Sequence, residues 1–237
     1  MIIDAKNKDY TVINDEINKT DKVFIEGCEG QRFIAAGTEG KKITIKNGIP
    51  GNALGAYLNG SEIDVYGNAQ DAVGDTMNDG SIIIRGSVGD AVGYAMRGGK
   101  IFVEKNAGYR AGIHIKEYKD KVPVIVIGGS AGCFLGEYQA GGVIVVLNLY
   151  GGEKPFGDFC GTGMHGGKII VRTDFAPKDL PSQVKYDKID VRVLPEFKYI
   201  KEYCDIFHKD LKTVADSSFY LLTPNSANPY KRLYVID

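Results

Sequence analysis

The sequence predicts an all-β fold, a single-stranded parallel β-helix of about eight coils that ends in a short helical and extended tail. Three observations lead there. A Gly-x-x-x-Gly unit recurs between Gly51 and Gly161, an alternating run of β-branched residues follows the unit, and no unit is long enough to hold two helices.

The glycine pairs are Gly51/Gly55, Gly89/Gly93, Gly108/Gly112, Gly132/Gly136 and Gly157/Gly161, with Gln70/Gly74 as a degenerate copy. The second glycines, at 55, 74, 93, 112, 136 and 161, step by 19, 19, 19, 24 and 25 residues. Between them lie Ile63/Val65, Ile82/Ile84, Ile101/Val103 and Ile144/Val146, with Ile169/Val171 after the last pair. Each of these reads as one strand, two inward side chains flanking an outward one. Stacked at the inter-strand spacing of about 4.8 Å, each coil pairs with the next. Extending the pattern backwards gives Ile43/Ile45 and Val23/Ile25. The glycines are expected to act as structural turn residues, supplying left-handed corners and close backbone approach.

Three segments follow from this reading. Residues 1–20 are expected to cap the first coil, whose open edge would otherwise invite pairing with another chain. Residues 21–173 hold the coils. In residues 174–237 the glycine repeat stops after Pro177 and Pro181, and Phe197, Ile200, Cys204, Phe207 and Leu211 form a helical stripe. One amphipathic helix ending before Ser217 is predicted there, with a proline-punctuated, extended stretch over 222–234.

Composition excludes several function classes. With 29 basic and 30 acidic side chains the formal charge is −1, which gives no field for nucleic acid or an anionic membrane. No apolar run reaches the ~20 residues needed to span a bilayer, and Met-Ile-Ile-Asp is not a signal peptide, so a cytoplasmic location is expected. Cys28, Cys133, Cys160 and Cys204 form no Cys-x-x-Cys pair, which argues against zinc, iron–sulfur and disulfide frameworks.

Reading down the coils tests each tempting residue against its equivalents. One position before the second glycine stand Leu54, Val73, Val92, Ala111, Leu135 and Cys160, an apolar ladder in which the cysteine is a small core residue. Three positions after it stand Leu58, Met77, Met96, Ile115, Gln139 and Met164, so the methionines are stacked packing and not a metal cluster. Asp71 and Asp90 share a rung and could in principle divide a proton or hold calcium. The next coil places Tyr109 there, which favours solvated turn residues. His165 falls on a rung of exposed turn residues, and His114 and His208 show no triad arrangement. No helical period follows the glycines, so they are not a nucleotide fingerprint. No catalytic, cofactor-binding or metal-binding residue is assigned.

One surface asks for a cover. The outward strand positions read Asp64, Ile83, Phe102, Val145 and Ile170, and the last four would stack into an apolar stripe. Either another protein or the chain's own tail covers Ile83, Phe102, Val145 and Ile170.

The runs Gly136-Glu-Tyr-Gln-Ala-Gly-Gly-Val-Ile-Val-Val-Leu147 and Gly161-Thr-Gly-Met-His-Gly-Gly-Lys-Ile-Ile-Val171 resemble the GXGXG domain at the carboxyl end of the glutamate synthase large subunit. Gly67-Asn-Ala-Gln-Asp-Ala-Val-Gly74 and Gly93-Tyr-Ala-Met-Arg-Gly-Gly99 fit the same family, and the resemblance covers roughly residues 20–173. It implies a right-handed β-helix that holds other domains in place without catalytic residues of its own. Ile2 stands where a glutaminase would need its cysteine nucleophile, and the chain has no space for an FMN barrel. The resemblance therefore implies a scaffold subunit whose partners, a glutaminase and an FMN-containing synthase, carry the FMN and iron–sulfur groups. Self-association as a homo-oligomer stays open. The same repeats also resemble the GXGXG-fold subunit of formylmethanofuran dehydrogenase. A β-helix enzyme acting on acidic polysaccharide is a further alternative, weakened by the lack of basic residues beside the aspartates.

Overall fold

A computed structural model of the chain describes residues 1–152 and 154–225. Nine strands stack in parallel in chain order: β1 (Ile2–Asp4), β2 (Lys22–Glu26), β3 (Lys42–Lys46), β4 (Asn59–Val65), β5 (Asp79–Ile84), β6 (Lys100–Val103), β7 (Val124–Ile127), β8 (Ala140–Val146) and β9 (Gly166–Arg172). The register is in line, Val23, Ile43, Ile63, Ile82, Ile101, Ile125, Ile144 and Ile169 forming one inward column. These side chains are buried, as are their partners two residues on, from Ile25 to Val171. Ile125 and Ile127 of β7 fill the rung after Gly108/Gly112, for which the sequence reading named no strand pair. That unit is longer because the short loop closed by Tyr118 and Lys121 is inserted ahead of the strand.

The N-terminal segment does more than cap. β1 pairs in parallel with β2 and extends the ladder by one strand, and α1 (Tyr10–Asn18) follows it, capped by Asp9 and burying Ile13 and Ile17 against the first coil.

The C-terminal segment departs from the expected single helix. β10 (Val184–Ile189) and β11 (Phe219–Pro224) form an antiparallel pair, and β11 also pairs antiparallel with β9, so a reversed strand separates the parallel stack from β10 at its edge. The helical stripe splits into α2 (Phe197–Phe207) and α3 (Leu211–Ala215). His208, in the left-handed region at φ 53°, ends α2, and the Asp210 side chain caps α3 by accepting from the Thr213 N–H. A strand such as β10, with Lys185, Tyr186, Asp187 and Lys188 in succession, carries no alternating pattern for sequence reasoning to find. Most of the proline-punctuated stretch over 222–234 lies outside the described residues. Among the described residues no helix is long and apolar enough to cross a membrane.

Candidate functional site

Opposite the strands, each coil builds a second wall from an alternation of backbone hands. The residues at positive φ come in threes, two apart: Ala53, Gly55 and Tyr57; Arg110, Gly112 and His114; Phe134, Gly136 and Tyr138; Phe159, Gly161 and Gly163. Alternating hands turn successive N–H groups up and down the solenoid axis. The middle N–H donates to the coil before, as from Gly112 to the Val92 carbonyl at 2.8 Å. Its neighbours two residues away donate to the coil after, as from Arg110 to Cys133 and from His114 to Glu137, both at 2.9 Å. The turn wall is thus as fully hydrogen-bonded between coils as the strand wall.

The two glycines of each unit have separate tasks on this wall. The second faces inward against a strand isoleucine one coil on: a Cβ at Gly112 would lie 2.4 Å from Ile144 Cδ1, and one at Gly74 would lie 2.5 Å from Ile101 Cδ1. The first leaves room for the coil before it. At Gly89 a Cβ would fall 1.9 Å from Asp71 Oδ1, and at Gly108 it would fall 2.2 Å from Asp90 Oδ1. At Gly51, Gly132 and Gly157 the obstacle is the preceding coil's main chain. Gly55, Gly93 and Gly136 repeat the inward pattern, and at Gly161 Val184 Cγ2 takes the isoleucine's place at 2.8 Å.

This geometry assigns the aspartate pair. Asp71 Oδ1 accepts the Asp90 N–H at 2.9 Å, and Asp90 Oδ1 accepts the Tyr109 N–H at 2.8 Å. Each carboxylate joins one coil to the next, which is bond formation within the scaffold and not acid–base chemistry. Among the described residues no group of three or more His, Cys, Asp or Glu side chains is placed to hold a metal ion. Burial pushes the Cys28 thiol up to about 11 and holds the Cys160 thiol well above its ordinary range, so neither is poised as a nucleophile. His165 Nδ1 lies 3.0 Å from the Gly163 carbonyl, and His114 is stacked on Tyr138 with ring centroids 5.1 Å apart.

The apolar stripe is covered by the tail. Phe102, Val145 and Ile170 are buried in one cluster with Val126, and Ile200, Tyr203, Cys204 and Phe207 of α2 close it, Ile83 packing at its margin. The Tyr203 hydroxyl donates to the Glu104 carbonyl at 2.8 Å, directly over Gly128, where any Cβ would collide with it. Lys100 pairs with Glu202 at 2.8 Å and Lys209 with Glu104 at 3.1 Å at the edges of α2. These four positions are therefore not a free surface for another protein. The alternation of apolar residues revealed the stripe, and only the course of the tail decided its cover.

Among the exposed apolar side chains, a set of aromatics lies on the turn wall. Tyr57, Tyr94, Tyr109, Tyr138 and Phe159 are all solvent-facing. Phe134 and Phe159 stack with centroids 4.9 Å apart, Arg110 lies over Phe134, and Arg110 pairs with Glu137. Several of these bulky side chains sit at positive φ on rungs where other coils place alanine or glycine. Sequence reasoning did not assemble them into a surface, although the rungs two before and two after the second glycine carried the signal for Tyr57, Phe134, Tyr138 and Phe159.

Among the described residues, two cavities beside the solenoid bear on function. One, of about 400 Å³, lies over the last coil between Lys154–Cys160 and the segment leaving β9, with Phe156, Phe159, Phe175 and Pro177 on its walls. The other, of about 210 Å³, lies at the start of α2 beside Lys168, Glu117 and Glu196. There Lys168 pairs with Glu196 and joins β9 to the helix.

Comparison with known proteins places these features in context. The family model described as GXGXG motif matches residues 4–218. The uncharacterized protein MJ1350 of Methanocaldococcus jannaschii is 46% identical over 253 residues, covering 100% of this chain and 97% of that protein. Among solved structures, a chain of the formyltransferase/hydrolase complex FhcABCD from Methylorubrum extorquens, in complex with methylofuran, superposes with a TM-score of 0.61 at 18% identity. That match covers 91% of this chain and 88% of the other and shows a common fold.

Proposed function

The chain belongs to the GXGXG family, and from that membership we propose that it is a non-catalytic scaffold subunit of a multi-subunit glutamate synthase in the cytoplasm. Its task is to hold a glutaminase and an FMN-containing synthase in register so that ammonia passes from one to the other. FMN and iron–sulfur groups belong to those partners, and this chain contributes no side chain to either reaction.

The observation that carries the reading is the extent of the family match, which runs through the coils themselves from residue 4 to residue 218. What the family shares is the solenoid, and the side chains that suggest chemistry in this one are engaged in building it. Asp71 and Asp90 bond coil to coil, Cys28 and Cys160 are core, and each paired glycine makes room for a neighbouring coil. The glutamate synthase assignment rests on the repeats from Gly136 and from Gly161, which resemble that enzyme's carboxyl-terminal domain. The exposed aromatic turn wall is the surface such a scaffold would offer to other subunits.

The second reading, the GXGXG-fold subunit of a molybdenum or tungsten formylmethanofuran dehydrogenase, is favoured by the common fold with a chain of the formyltransferase/hydrolase complex. Both readings are scaffolds within larger assemblies. Polysaccharide chemistry is disfavoured, because the aspartates it would need are bonded to main-chain N–H groups.

Affinity purification of the tagged chain from its host separates the readings, with partners identified by mass spectrometry and flavin read from the visible spectrum. Co-purification of a glutaminase and a flavin-containing synthase supports the first. Molybdenum or tungsten dehydrogenase subunits support the second, and a colourless single chain contradicts both.

A further inference from the structure

The hydrogen-bond pattern of the turn wall does not stop for want of groups to continue it. In each interior coil, the N–H groups two before and two after the second glycine donate up the axis: Arg110 to Cys133, Phe134 to Asp158, His114 to Glu137 and Tyr138 to Thr162. The carbonyl one before that glycine accepts from above, as Ala111 does from Gly136 and Leu135 from Gly161. On the last coil the equivalent groups are the N–H of Phe159, the N–H of Gly163 and the carbonyl of Cys160. Among the described residues none of the three has a main-chain partner. Phe159 and Cys160 form part of the wall of the 400 Å³ cavity. The strand wall of the same coil is continued by β11 and β10, and Val184 lies over Gly161, so the open groups lie on the turn wall.

We propose that this open turn-wall edge is the docking surface for a second copy of the chain, joined last coil to last coil about a two-fold axis. Three observations converge on that occupant. First, the edge continues an interface already repeated through the molecule, with donors and acceptors interleaved, so an antiparallel copy of itself can satisfy it. Second, the rim carries Lys154, Asp158, Lys178 and Asp179; Lys154 pairs with Asp158 within one copy at 3.6 Å, and Lys178 and Asp179 give one charge of each sign that can meet its opposite across a two-fold axis. Third, two large apolar side chains there are open to solvent, Phe159 at 56% and Phe175 at 70% exposure, and two copies would cover each other's. At the opposite end the Asn14 side chain bonds to Phe33 and Ala35 of the first turn. With that turn-wall rung occupied, the turn walls of two copies cannot stack head to tail, and the contact pairs last coil with last coil.

Sedimentation of the full-length chain across a concentration series, with hydrogen exchange read on peptides spanning residues 156–164, tests this. A monomer–dimer equilibrium is expected, with the amides of Phe159 and Gly163 gaining protection as concentration rises. Phe159→Asp should weaken dimerisation at least about tenfold while leaving the thermal transition in place, because the residue sits at φ 62° where aspartate is better tolerated than phenylalanine. Phe175→Asp, outside the coils, should do the same. A chain that stays monomeric throughout, or a dimer indifferent to both variants, would overturn the proposal. So would protection of residues 156–164 that is independent of concentration, since the occupant would then be the chain's own residues 226–237.

Discussion

The side-chain amide of Asn14 takes the place of a whole coil in front of Ala35. Its Oδ1 accepts the Ala35 N–H at 2.8 Å, and its Nδ2 donates to the Phe33 carbonyl at 2.9 Å. In the next coil the equivalent N–H, that of Gly55, donates to the Ile34 carbonyl at 2.9 Å, and the rung repeats up to Gly161. One residue of α1 therefore ends a main-chain ladder that would otherwise stay open at its first rung.

Replacing Asn14 with leucine keeps the approximate size of the position, favours the helix and removes both bonds. Leaving one donor and one acceptor without partners at a partly covered site should cost about 1–3 kcal/mol. Urea unfolding of the full chain would show a lower midpoint at unchanged slope, and Asn14→Asp, which retains the acceptor, should lose less. Equal losses for both variants would show that α1 contributes by packing alone.

The second glycine of each unit offers a paired test. Gly112→Ala places a methyl group 2.4 Å from Ile144 Cδ1 at φ 70°, so overpacking adds to left-handed strain, about 2–4 kcal/mol together. Ile144→Val removes the obstructing atom. In the double variant part of the loss should return, giving a favourable coupling in a double-mutant cycle followed by thermal or urea unfolding. Strictly additive effects would show that the backbone hand, and not the isoleucine, is what excludes alanine.

Much of this was legible in the sequence, and its limits have physical causes. Periodic glycines and β-branched runs report directly on the coils, because each coil repeats the same local constraint. The inward columns, the core character of Cys160 and the burial of Met77, Met96 and Met164 follow from stacking equivalent positions. The tail lacks that redundancy. Its antiparallel strands and the break at His208 depend on contacts with coils far away in sequence, which no local pattern encodes. The aromatic turn wall went unread for a different reason: left-handed positions filled by Phe134, Tyr138 and Phe159 go against the usual preference for glycine.

Phe102 distinguishes the intramolecular cover from an intermolecular one. It is 1% exposed beneath α2, so Phe102→Asp should destabilise the isolated chain by about 4 kcal/mol or more, through lost burial and an unpaired carboxylate. Limited proteolysis should then cut within residues 190–216 before the coils, as α2 detaches. If the variant instead melted like the parent and lost only an association, the helix would not be the stripe's principal cover.

Buried thiols make the fold sensitive to alkali. Burial raises Cys28 and Cys204 from an ordinary value of 9.0 to about 11, and it raises Cys160 and the Tyr203 hydroxyl further still. For a group whose folded value is raised, the unfolded chain loses its proton first as pH climbs. Its contribution is therefore complete below about pH 9 and is lost progressively between about pH 9 and pH 11, as ionisation favours the unfolded state. Cys28 and Cys204 should each remove on the order of 2 kcal/mol over that interval. Unfolding free energies measured from pH 8 to pH 11 should fall steeply, and Cys28→Ala and Cys204→Ala should each flatten the fall while lowering stability at pH 8. Alkylation at pH 8 supplies the complementary readout: Cys133, the half-buried thiol, should react in the native chain, and the other three only on unfolding. A pH profile that the substitutions leave unchanged would place the alkaline sensitivity on ion pairs such as Lys209 with Glu104.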